Sequence, residues 1–173
     1  MLGAFLLIML GTLEVARLLY VLNTVQDVTR VAARAAAVTD FADDTAMAEI
    51  RAHALFTSGN GTLPLLPELG TAQLRIEYLG QAADGTVTEI SRPPSPAQNL
   101  VNCALSPHAG PCVRLVRASI CGATGPGGAC TPLPYRPMLG IVPGFGSLSI
   151  PPSATLVKAE SLGYIPGENN VFE

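Results

Sequence analysis

Tryptophan is absent from the 173 residues, lysine occurs once, at Lys158, and histidine occurs twice, at His53 and His108. The net charge is −3 and no basic patch is present, so nucleic acid is not an expected partner. The paired cysteine knuckles of zinc sites are missing, and we expect no metal and no cofactor. Nucleophile and phosphate-loop motifs are missing too, and we expect no enzymatic activity.

Proline is also absent from residues 1–39, where the only glycines are Gly3 and Gly11. This stretch predicts one continuous helix about 60 Å long. Residues 2–13 are apolar apart from Thr12, whereas the remainder is amphipathic. The apolar positions of that second part recur at helical spacing: Leu18, Leu22, Val25, Val28, Ala32 and Ala35. We predict a membrane anchor that continues as the spine of a head domain formed by residues 40–173.

The apolar run of the anchor is short. Residues 2–13 span about 18 Å, whereas the hydrocarbon core of a bilayer is about 30 Å thick. Extension to Leu22 gives enough length but places Glu14 and Arg17 inside the span. At spacing i, i+3 these two can form an ion pair at the membrane boundary. We also expect the apolar span to begin upstream of Met1. Pairing of Glu14 with a neighbouring subunit is the alternative.

Near its C-terminal end this helix carries several small alanine side chains. Ala32, Ala33 and residues 35–37 let other elements approach closely, either the head of the same chain or neighbouring helices. Asp27 and Arg30 lie on the opposite side at a spacing that allows an ion pair.

The head is predicted to be α+β. A short helix is expected over residues 45–56, capped by Asp40, Asp43 or Asp44 and ended by the sequence Gly-Asn-Gly at 59–61. Residues 63–67 are expected to form an apolar loop under a small antiparallel sheet. The strands are predicted at 73–79, 86–91, 113–120 and 155–161, the first two joined as a hairpin through residues 83–85.

Four cysteines, spaced nine residues apart, mark the loops of residues 103–130. If residues 113–120 are extended, Cys112 and Cys121 lie about 30 Å apart, too far for a disulfide. Local pairs, Cys103 with Cys112 and Cys121 with Cys130, fit best because turn-forming residues lie between them. The crossed pairing remains possible. Disulfides indicate an oxidising compartment, here the periplasm or beyond.

The helix carries a specific combination of residues. Gly11, Glu14 and Arg17 follow the spacing G-x-x-E-x-x-R, and residues 32–36 read A-A-R-A-A. Over residues 8–39 this resembles the TadE-like pseudopilin family of tight-adherence (Tad/Flp) type IV pili. Further segments fit more weakly: Tyr135-Arg136-Pro137, a glycine-rich loop, Ser153-Ala154-Thr155 and Lys158-Ala159-Glu160.

The resemblance implies a pilin-like fold and a single-pass inner-membrane protein with its head in the periplasm, or outside the cell once in the pilus. Its implied partners are inner-membrane lipid, other pilins that contact the N-terminal helix, and the Tad assembly machinery. Family members are cleaved at a glycine, with a glutamate at the fifth mature position. Ile8 lies five residues after Gly3 and Ala16 five after Gly11, so no cleavage site is assigned and an upstream leader is expected.

These observations predict a minor pilin-like structural component that acts in pilus assembly and surface adhesion. The alternative is a membrane-tethered periplasmic domain of a secretion or envelope complex that does not enter a filament. An upstream leader with Gly and Glu would favour the first, and an ordinary basic flank the second.

Overall fold

The computed structural model describes residues 2–59, 61–122, 130–138, 140 and 145–167. Within these residues, three helices, α1 (Leu2–Val38), α2 (Asp44–Ala54) and α3 (Pro96–Leu105), accompany eight strands. The strands are β1 (Thr62–Leu63), β2 (Leu66–Gly70), β3 (Leu74–Gln81), β4 (Val87–Glu89), β5 (Leu115–Ile120), β6 (Leu133–Pro134), β7 (Ser149–Ile150) and β8 (Ser153–Lys158). Short 3₁₀ turns cover Thr71–Gln73 and Phe145–Ser147. The predicted α+β class is confirmed.

The centre of the head is a four-stranded antiparallel sheet in the order β4-β3-β5-β8. Its register pairs Leu74 with Ile120 and Val116 with Val157. Two small antiparallel pairs, β1-β2 and β6-β7, lie beside it. The predicted hairpin of residues 73–91 is present as β3 and β4, with Gln81 opposite Val87.

One face of this sheet packs against α1. Val21, Val25 and Val28 of the helix are fully buried together with side chains of β3 and β5. Farther along, Ala36 and Ala37 pack in a second cluster with Phe41, Met47, Tyr78 and Val116. The small alanines let the helix approach the sheet closely, so this stretch packs on its own head. Of the two alternatives drawn from the sequence, the structure shows the first.

The order of head elements along α1 can be read from their contacts. Tyr135 lies beside Glu14. The start of β8 lies beside Thr29, whose hydroxyl is 2.9 Å from that of Thr155. The end of β8 lies beside Ala37, whose carbonyl accepts from the N–H groups of Glu160 and Leu162. The head therefore runs along α1 from residue 14 to residue 37, about 35 Å at 1.5 Å per residue.

The start of α2 is confirmed, and its predicted end needs correction. Asp43, one of the three residues predicted to cap this helix, accepts hydrogen bonds from the N–H groups of Thr45 and Ala46. The helix ends at Ala54, not at Phe56, because Phe56 takes a left-handed conformation with φ 55°. Its end therefore precedes the Gly-Asn-Gly segment, of which Asn60 lies outside the described residues.

Helix α3 was missed altogether. Its signal is Ser95 followed by Pro96: the serine hydroxyl accepts from the N–H of Gln98, and proline occupies the first turn. The predicted loop of residues 63–67 is also different, because Leu63 and Leu66 pair in the β1-β2 hairpin and both are buried. The strands predicted at 86–91 and 155–161 are shorter, or shifted, as β4 and β8.

Candidate functional site

The first part of α1 extends beyond the head. The side chains of residues 2–9 are exposed, among them Phe5 at 62% and Ile8 at 65%. A Cβ built on Gly11 meets no atom within 4 Å, so the head does not reach this helix face. In the described part of the chain, α1 is the one helix long and apolar enough to cross a membrane. An apolar helix bare of its own head requires lipid or another protein around it.

The head begins at Glu14, which is a buried carboxylate with three donors. Its Oε1 accepts from the Tyr135 hydroxyl at 2.6 Å, from Arg17 at 3.0 Å and from the Met138 N–H at 3.3 Å. Only 3% of the Glu14 side chain is exposed. The carboxylate thus joins two distant parts of the chain at the point where α1 leaves the head.

Arg17 completes this cluster, which we call the neck: Glu14, Arg17 and Tyr135. Besides the carboxylate, the guanidinium donates to the carbonyl of Leu65 at 2.7 Å and to that of Arg136 at 2.8 Å. It also stands over the Tyr135 ring, 5.1 Å from the centroid. The ion pair expected from the spacing of Glu14 and Arg17 is therefore present, inside a larger network of the same chain.

Tyr135 is the member of the neck that sequence reasoning missed. Burial, and then the hydrogen bond to the Glu14 carboxylate, raise the pKa of Tyr135 to about 12. The phenol is therefore a neutral donor at physiological pH. The sequence offers no signal for this pairing because 121 positions separate Tyr135 from Glu14.

The other end of the spine is fastened by main-chain bonds. The carbonyl of Ala37, near the C-terminus of α1, accepts from both Glu160 and Leu162 at 3.1 Å. Helix carbonyls in the last turn lack partners within the helix. The segment after β8 supplies them, so α1 and the head are joined at both ends of their contact.

The cysteines form the two local pairs that fit the sequence best. Cys103 of α3 is bonded to Cys112, with Cα atoms 4.8 Å apart, and Cys121 to Cys130, with Cα atoms 5.0 Å apart. The first pair lies beside Asn99, whose side chain makes two hydrogen bonds with the main chain of Val113. These bonds fix α3 at the Ala37 end of the head, opposite the neck. Strand β5 holds Cys112 and Cys121 apart, and the structure shows the local pairs rather than the crossed ones.

Among the described residues, no three His, Cys, Asp or Glu side chains form a cluster that could bind a metal ion. The buried carboxylate of the sheet, Glu77, pairs instead with Arg75 at 2.7 Å and with Arg117. His108 is exposed and hydrogen-bonds to the carbonyl of Gln81. The exposed pair Asp27–Arg30 is formed at 3.2 Å.

The fold and the neck together define a class: a small disulfide-containing α+β head carried on one long helix whose N-terminal part extends as an apolar rod. Residues 1–34 match the family model of TadE-like protein, which confirms the resemblance seen in the sequence. The match covers the N-terminal helix alone and suggests a component associated with the Tad pilus. Among curated proteins and among solved structures, nothing matches this chain significantly.

Proposed function

We propose that this protein is a minor pilin-like structural component of a tight-adherence pilus, anchored in the inner membrane with its head in the periplasm. The observation that carries the proposal is the division of α1 at the neck. Residues 2–9 are exposed and apolar, whereas from Val21 onward the helix contributes one side to the core of the head. One helix thus serves as an anchor and as a spine.

Assembly would use the exposed rod. In the membrane, its apolar side chains are covered by lipid; in a filament, they would be covered by equivalent helices of other pilins. Exchange of lipid for packed helices keeps these side chains out of water, so the transfer needs little free energy. The outward side of α1 stays free for such contacts past the neck, because Val15 and Leu19 are exposed.

The structural role, rather than an enzymatic one, is supported by the use of the buried carboxylates. Glu14 holds the neck and Glu77 joins β3 to Arg117 on β5. Both carboxylates are occupied by partners that fix the fold. Removal of one partner of such a buried ion pair is strongly destabilising, so both carboxylates stabilise the fold of the head.

The test is site-specific photo-cross-linking in cells that express the Tad pilins. A photoreactive residue at Phe5 on the rod should cross-link to other pilins and be recovered in sheared pili. The matched control is Leu105 on α3, which is 78% exposed but lies at the opposite end of the head. Recovery of Phe5 cross-links in the cell envelope alone, with none to pilins and none in sheared pili, would reject a place in the filament.

That outcome would support the alternative role, a tethered domain of an envelope complex. A groove of about 280 Å³ between α3 and the end of β8 favours it as the second candidate. Lys158, Glu160 and Tyr164 line this groove at the Ala37 end of the head, away from the neck. A tethered domain would present this surface to a partner while the rod stays in lipid.

A further inference from the structure

Two large apolar side chains are exposed where the head meets the neck. Leu65, in the turn between β1 and β2, is 50% exposed, and Met138, after β6, is 69% exposed. Their neighbours Leu63, Leu66 and Tyr135 are buried in the core. We call Leu65 and Met138 the rim.

The rim lies at the depth of Glu14. Arg17 donates to the Leu65 carbonyl at 2.7 Å, and the N–H of Met138 donates to the Glu14 carboxylate at 3.3 Å. Side chains of a helix lean toward its N-terminus. The Arg17 guanidinium therefore lies about level with the preceding turn, and both rim residues lie within one turn of the point where the bare rod begins.

The side chains on the face of α1 that points away from the head indicate that the start of the bare rod lies close to the membrane surface. Leu19 and Tyr20 are still exposed on this side, and polar side chains take over at Asn23 and Gln26. Tyr20 lies six residues past Glu14, about 9 Å along the axis. The interfacial zone on each side of a bilayer is about 6 Å thick. With Tyr20 at the outer edge of this zone, where interfacial tyrosines lie, the rim lies about 3 Å past its inner edge, where the headgroups meet the acyl chains.

The backbone of Leu65 is a second, independent observation. Leu65 has φ 65°, in a two-residue turn whose first residue is Pro64. Proline followed by a residue of positive φ is the pattern of a type II turn, where glycine or asparagine is preferred at the second position. A leucine here is strained and half exposed, so it contributes little to the head itself.

We propose that the rim is a second membrane contact: Leu65 and Met138 insert into the lipid interface beside α1 and hold the head against the bilayer. The inference rests on the proposed function, since it needs the rod to lie in the same bilayer. Before assembly the head would then keep one orientation, with the Ala37 end directed away from the membrane. Withdrawal of the rim would accompany extraction of the rod.

Absence of tryptophan from the chain permits a direct test. The full chain is placed in phosphatidylcholine vesicles whose acyl chains are brominated near the headgroup for the rim and α3 variants, and near the chain ends for the Phe5 variant, because Phe5 lies about 14 Å farther along α1 than Glu14. Four single-tryptophan variants are compared: Leu65→Trp, Met138→Trp, Phe5→Trp on the rod and Leu105→Trp on the distal α3. Leu105 is as exposed as the rim and controls for the affinity of tryptophan itself for interfaces. Each variant's unfolding midpoint is measured to show that the head remains folded.

We expect the fluorescence of Leu65→Trp and Met138→Trp to be quenched and blue-shifted. The fluorescence of Leu105→Trp should be the same in brominated vesicles as in vesicles without bromine. Both rim tryptophans unquenched while Phe5→Trp is quenched would overturn the rim contact and leave the anchor intact. No quenching at Phe5→Trp would instead overturn the anchor. A blue shift of the rim tryptophans without quenching would show that protein covers the rim, and would also overturn the proposal.

Discussion

Glu14→Gln removes the charge of the neck and keeps its shape. The glutamine side chain of this variant would retain an acceptor for the Tyr135 hydroxyl but present an amide toward Arg17, which is 10% exposed. Breaking a buried ion pair costs about 3–5 kcal/mol, and a hydrogen bond to a charged group contributes about 1.5–3 kcal/mol. Because Arg17 keeps its hydrogen bonds to the carbonyls of Leu65 and Arg136, we expect a loss between these two figures, about 2–4 kcal/mol.

The measurement is thermal unfolding of the full chain in detergent micelles, followed by circular dichroism. For a chain of this size, the expected loss lowers the midpoint by on the order of 5–15 °C. Tyr135→Phe should be destabilising as well, and the double variant should lose less than the sum, because the two side chains share one hydrogen bond.

Asp27→Asn is the matched control for Glu14→Gln. It breaks a pair with the same i, i+3 spacing on the same helix, but both partners are exposed. Exposed pairs contribute at most about 1 kcal/mol, so its midpoint should stay close to that of the wild type. Equal midpoints for Glu14→Gln and Asp27→Asn would refute the neck as the fastening of the head. Normal co-purification of Glu14→Gln with pilin partners is expected, because the carboxylate is already bonded within its own chain.

Three further predictions concern the head and spine. Burial raises the pKa of Tyr78 to about 12. The neutral phenol therefore contributes about 2–3 kcal/mol to the free energy of unfolding below pH 10, and this contribution is lost as the pH rises from 10 to 12. Tyr78→Phe should remove one late step from a tyrosinate absorbance titration. Replacing Cys103 and Cys112 by serine opens a loop with a sequence separation of 9, and denaturant unfolding should show a loss of about 2–3 kcal/mol; an unchanged midpoint would contradict the pairing. Ala33→Leu should cost about 1–3 kcal/mol because Ala33 is fully buried against the sheet, whereas Ala16→Leu on the exposed side should leave the midpoint unchanged.

Much of the fold could be predicted because its signals are local. The lack of proline and the apolar spacing identify α1, alternation identifies β3, and the Ala-Asp-Gly turn identifies its hairpin with β4. The length of one extended strand excludes the pairing of Cys112 with Cys121, and only the structure decides between the local and the crossed pairs. Helix α3 was not predicted although Ser95-Pro96 is a local start signal, because prolines at 93, 94 and 96 are also typical of a segment without regular structure.

The contacts of the neck separate what the sequence predicts from what depends on the tertiary structure. The sequence by itself determined that Glu14 and Arg17 lie on one side of a helix, within reach of each other, since helical geometry fixes neighbours three residues apart. Only the tertiary structure decided what that side faces. Tyr135, Leu65 and Met138 come from strands and turns far along the chain, and their approach depends on how α1 packs on the sheet. A carboxylate that looked exposed to lipid is thereby buried by the head, because packing chooses which distant residues meet.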